Sequence, residues 1–145
     1  MTDSGFDLGL DDPARAGVFF VAPEDIDTLA MAARDAGLRA LRVDLHGCRG
    51  KPTLLLRLAM ALDAPAGSGR NWDALSDQLR DLAWLPPAAG YMLLFDQARD
   101  LRDADEPAFD TLLSILEEAV AAWAARDRPF WAFLALPAEE FGPPA

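Results

Sequence analysis

Three aspartates, Asp73, Asp77 and Asp81, recur at every fourth residue of GSGRNWDALSDQLRDLAW, the stretch from Gly67 to Trp84. On a helix that spacing stacks the carboxylates along one side. Like charges so placed oppose one another by roughly 0.2–0.5 kcal/mol per pair. Two kinds of chemistry use such a row. Paired carboxylates serve as general acid and base, but only where an apolar pocket drives their pKa values apart. Here they flank an apolar side made of Trp72, Leu75, Leu79, Leu82 and Ala83, and no pocket is evident. A row of carboxylates also attracts and holds a cationic partner. Local uses compete with both. Asp73 in the first turn favours the helix dipole, and Asp77 is spaced to pair with Arg80.

Other reactive constellations are weak. Gly67-Ser68-Gly69 precedes a helix, yet it follows a loop rather than a strand, and neither a P-loop lysine nor a full G-x-G-x-x-G is present. His46 and Cys48 are the only histidine and cysteine, so a metal would need carboxylates as further ligands. A strand end and a buried thiol account for them better. G-x-S-x-G is absent. No enzyme activity, metal or cofactor is expected.

Composition narrows the partners. The 145 residues are 52% hydrophobic, enough for a core, and carry a net charge of −11. That balance disfavours nucleic acid and anionic membrane surfaces, both of which recruit Lys and Arg. Between Asp96 and Glu118 stand eight acids (Asp96, Asp100, Asp103, Asp105, Glu106, Asp110, Glu117 and Glu118) against Arg99 and Arg102. If this segment neighbours the aspartate helix, the acids join in one field that steers a basic partner. One cysteine fits a reducing compartment. The acidic N-terminus lacks a signal-peptide pattern, and no apolar run reaches the ~20 residues of a membrane span. A cytoplasmic monomer is expected.

The elements that would position these residues follow from periodicity and punctuation. Residues 1–16 read as a flexible acidic arm. A short strand begins at Gly17, and a helix runs from Pro23 to Ala36, with Gly37 at its end. Leu38–Leu45 alternates as a half-buried strand. A helix is predicted over Lys51–Leu62, then a loop, then the aspartate helix capped by Asn71 and stopped by Pro86-Pro87. Gly90–Phe95 is an apolar run suited to a strand covered on both faces. An acidic loop follows, then a long helix from Pro107 to about Arg126, then a strand over Pro129–Leu136. Residues 137–145 read as a loose tail. Strands alternating with helices predict a mainly parallel α/β sheet.

Gly69-Arg70-Asn71-Trp72-Asp73-Ala74-Leu75-Ser76-Asp77-Gln78-Leu79 resembles the signature helix of the barstar-like family, whose namesake inhibits a small bacterial ribonuclease. The shared pattern is Gly-x-Asn-x-Asp-Ala-Leu-x-Asp-x-Leu, and the resemblance spans roughly residues 38–136. It implies an α/β fold: a three-stranded parallel sheet packed by helices, here with an extra N-terminal strand and helix over 17–37. It implies that the helix and its preceding loop plug the active site of a small basic ribonuclease or toxin domain, with carboxylates standing in for RNA phosphates. Asp77 and Asp73 match the two carboxylates of that helix, and Glu118 matches a third on the long helix. Gly69, Arg70 and Asn71 shape or border the loop. Ser76 stands where the namesake has an enzyme-contacting tryptophan, Gly67 and Ser68 stand where it has two tyrosines, and Arg70 stands at an acidic position. The implied role is a ribonuclease inhibitor of antitoxin or immunity type; the alternative is a barstar-fold module for a different basic toxin or an unrelated protein.

Overall fold

The computed structural model describes residues 9–137. Residues 1–8 of the expected arm and 138–145 of the expected tail lie outside the described residues. Four strands, β1 (Val18–Val21), β2 (Leu38–Asp44), β3 (Gly90–Asp96) and β4 (Phe130–Ala135), form one sheet in the order β1-β4-β3-β2. All three pairings are parallel. The extra strand β1 therefore adds at the edge beside β4, and the chain must cross the sheet to reach β2 at the other edge.

That crossing is made by a 3-10 turn, Pro23–Asp25, and α1 (Ile26–Asp35). Ile26, Leu29 and Ala33 are the buried side of α1, as their spacing predicts. They meet Met92 and Leu94 of β3 and Trp131, Phe133 and Ala135 of β4 on one face of the sheet. Four helices cover the opposite face: α2 (Lys51–Leu62), α3 (Trp72–Asp81), α4 (Ala98–Ala104) and α5 (Glu106–Ala124). Tyr91, Leu93 and Phe95 point to that side. The unbroken apolar run of β3 thus reflects a strand buried on both faces. Gly90 begins it because a Cβ there would sit 2.5 Å from the Pro129 carbonyl oxygen.

Three local expectations are corrected. Residues 9–16 are not a free arm. Leu10 is buried among the side chains under α1, and its carbonyl accepts the Trp131 indole N–H at 2.9 Å. The acidic loop after β3 contains α4, in which Ala98 and Leu101 are buried and Arg99 pairs with Asp103 one turn on. The aspartate helix ends at Asp81, well before Pro86. Leu82 turns left-handed (φ 53°) with its side chain fully buried, and the following Ala83 is exposed. A left-handed non-glycine residue costs about 1–2 kcal/mol. Burying a leucine returns about 1.5–3 kcal/mol, so burial decides where the helix stops.

Candidate functional site

The site is built at the start of α3 and in the loop before it. Asn71 is extended (φ −145°), and its side-chain oxygen accepts the Ala74 N–H at 2.8 Å. This cap satisfies one of the orphan donors of the first turn. Gly69 lies close beneath it: a Cβ would approach Asn71 Nδ2 and Ala74 Cβ at 3.3 and 3.4 Å. Gln78 reaches back from the second turn to the Gly69 carbonyl at 3.4 Å. Gly67 turns the loop with a positive φ of 87° that a side chain would resist.

Two tryptophans fix the ends of the helices around this loop. Trp84 donates its indole N–H to the Leu62 carbonyl, in the last turn of α2, at 2.9 Å. Trp123 of α5 donates to the Leu79 carbonyl, in the last turn of α3, at 2.7 Å. Arg126 stacks its guanidinium over Trp123 and donates to the Arg80 carbonyl. The last carbonyls of a helix have no partner within it, and here side chains from other elements supply them. Sequence reading did not find these roles of Trp123, Arg126 and Trp84. A tryptophan needs an acceptor when buried, but nothing local says which carbonyl it will meet.

Leu75 and Leu79 bury the inner side of α3, and Trp72 is half-buried against the core with the Lys51 ammonium 5.3 Å from its ring. Asp73, Asp77 and Asp81 are exposed, Ser76 is half-buried, and Gly69 and Arg70 are exposed in the loop. Asp73 makes no ion pair among the described residues, whereas Asp77 holds Arg80 at 2.8 Å. Glu118 is exposed on α5, the helix against which α3 packs.

The wider acidic field is smaller than charge counting suggests. Asp96 binds Arg42 at 2.9 Å, Asp100 accepts the Gly47 N–H at 2.7 Å, and Asp103 is taken by Arg99 and Arg102. Asp105 caps α5 by accepting the Ala108 N–H. Glu106, Asp110, Glu117 and Glu118 remain exposed and without an ion pair among the described residues. Beside the loop, α2 exposes Leu56 and Met60. With residues of 63–70 and Gln78 they line a groove of about 350 Å³. The sequence reading assigned no role to this pair.

Elsewhere, His46 is exposed, with Nδ1 3.8 Å from Asp100. Cys48 is buried, its thiol pointing at the Gly50 carbonyl at 3.7 Å, and burial pushes its pKa up. No three potential metal ligands cluster among the described residues. No described helix is long and apolar enough to cross a membrane.

Residues 38–135 match the protein family described as Barstar (barnase inhibitor). The chain belongs to the barstar family. The match covers the whole candidate site and three of the four strands. The barstar segment begins at β2, so β1 and α1 lie outside it. No curated protein matches the chain. Among solved structures, one titled "Structure of Drosophila ORC bound to DNA" is similar at 20% identity with a TM-score of 0.52. The likeness covers 89% of this chain and 34% of that one, so this chain spans about a third of the other's length. At that identity it is a likeness of fold alone. The family description is that of a protein inhibitor, so a protein partner, and a ribonuclease in the family's case, fits the barstar segment.

Proposed function

We propose that this barstar-family chain binds and blocks a basic ribonuclease, as an antitoxin or immunity protein. Asp73 and Asp77 would occupy the places of RNA phosphates, with Glu118 as a third carboxylate and Gly69, Arg70, Asn71 and Ser76 bordering the contact. The observation that carries this reading is the exposed aspartate side of α3, a helix capped at its start by Asn71 and held at its end by Trp123. A helix held at both ends presents its charges with little ordering left to do on binding, which favours affinity. Asp73 and Asp77 have no structural task inside the core that would explain their exposure as a by-product of packing.

The test is titration of a barnase-type ribonuclease with the purified chain, followed by RNA cleavage. Inhibition at equimolar ratio should be lost on Asp77→Ala. Truncating one member of a buried interfacial charge pair costs about 2–5 kcal/mol, a range to which barstar-family complexes themselves contributed. Folding stability should change by less than about 0.5 kcal/mol, as for other surface substitutions. Equal inhibition by mutant and wild type would refute the phosphate-mimic mechanism.

One observation favours a second reading, in which the partner is a different basic toxin or an unrelated protein. Gly67, Ser68 and Ser76 offer no aromatic anchor, while Leu56 and Met60 expose apolar surface beside the same loop. Failure to inhibit a barnase-type enzyme, together with retained binding to another basic protein that Asp77→Ala abolishes, would support it.

A further inference from the structure

The edge of the sheet at β1 is apolar and, among the described residues, open. The carbonyls of Gly17 and Val21 accept the N–H groups of Ala132 and Leu136, so this set of backbone groups points inward to β4. By the alternation of a strand, the N–H and C=O of Val18 and Phe20 point outward. They find no partner among the described residues. Natural edges are usually blunted by charge, proline or a covering element, yet β1 reads Val-Phe-Phe-Val. Phe19 stacks near Trp131 and Phe133 on the α1 side, and Phe20 stacks on Phe109 of α5 on the other. Both remain nearly half exposed, at 44% and 46%.

We propose that this edge pairs antiparallel with the same edge of a second copy of the chain, across a two-fold axis normal to the sheet. The axis preserves faces, so opposed residues must share a face. With the axis at Phe20, each Phe20 exchanges both backbone hydrogen bonds with its counterpart, and Val18 of one copy lies opposite Ala22 of the other. The contact is isologous and closes on itself. Charge favours this register. The turn before β1, which carries Arg15, is brought toward the 3-10 turn that follows β1 in the other copy, which carries Glu24 and Asp25. All three side chains are exposed and make no ion pair among the described residues. On the α1 side, Val21 of the second copy is brought beside Phe19, at the mouth of an apolar cavity of about 510 Å³ lined also by Arg15, Asp25 and Trp131. This dimer departs from the monomer expected from sequence, and it does not depend on the ribonuclease reading.

The test is sedimentation of the full chain over a concentration series, combined with amide exchange at Phe20. A reversible dimer is expected, with the Phe20 amide protected at high concentration and exposed on dilution. Arg15→Glu should weaken dimerisation roughly three- to tenfold, since two symmetry-related pairs become repulsive. Adding Asp25→Arg should restore it. A monomer at every concentration would overturn the proposal. So would a Phe20 amide protected regardless of concentration, which would mean that the edge is already covered within the monomer. A dimer in which that amide exchanges freely associates through another surface and also overturns it.

Discussion

Asp77 is occupied before any partner arrives. Arg80 holds its carboxylate and also donates to the Ser76 carbonyl one turn back. An exposed pair of this kind contributes about 0.2–1 kcal/mol, so a cationic partner can displace Arg80 at little cost. Arg80→Ala removes the competitor and one opposing charge. It should tighten binding to the proposed ribonuclease partner by up to about fivefold, mainly through faster association, as read by stopped-flow mixing at low salt. Rising salt should erase the gain, because the exposed charges are then screened. The exposure of Asp73 and Asp77 was legible in their spacing off the apolar side of the helix. The pairing of Asp77 with Arg80 was visible too, at three residues' separation. The engagement of Asp96 and Asp100 was not, because their partners Arg42 and Gly47 lie some fifty residues away along the chain.

α2, whose stop is local, was read to the residue, and α3, whose stop is tertiary, was not. α2 runs over Lys51–Leu62 as its periodicity predicts, ending where Asp63 turns left-handed. α3 was overrun because the buried Leu82, not the proline pair, ends it. α4 was missed because five acids between Asp96 and Glu106 look like a solvated loop, whereas Arg99 and Arg102 neutralise Asp103 on a single short helix. Hydrogen bonding to Arg99 first, and to Arg102, holds the Asp103 carboxyl below the ordinary aspartate value of about 3.9. A depressed carboxyl pKa gives stability that is present above the unfolded value and lost as pH falls through the folded one. The amides of Ala98–Ala104 should therefore lose exchange protection below about pH 4 ahead of those in β3. The clamp on α3 makes a separate prediction. Trp123→Phe leaves the buried Leu79 carbonyl unpaired and should cost about 1–3 kcal/mol in urea unfolding. It should also weaken partner binding, since α3 loses the contact that fixes its end.

At the scale of the whole molecule, the barstar segment does not close its own sheet. Met92, Leu94, Trp131 and Phe133 face away from the four helices and are covered by α1 and Leu10, both outside residues 38–135. Removing residues 1–37 would expose these side chains together. The product should bind hydrophobic dyes and scatter light on concentration, since patches beyond a few hundred Å² drive association. A soluble, cooperatively folding 38–145 fragment would show that the extension is a separate addition. The sequence made the extension legible as a strand and a helix. It did not reveal that residues 9–16 are tied down, because the Trp131–Leu10 hydrogen bond joins residues 121 positions apart.

Cys48 gives the molecule a built-in clock. Its thiol is fully buried, and burial keeps it protonated, so it is shielded both from oxidants and from alkylating reagents. With no second cysteine in the chain, every labelling event reports one opening at one place, the turn between β2 and α2. Under conditions where the reagent acts faster than the turn recloses, the labelling rate equals the opening rate. Docking a partner on α3 should slow that clock only to the extent that α2 and α3 open as one unit, so a single mass measurement would read the cooperativity of the fold.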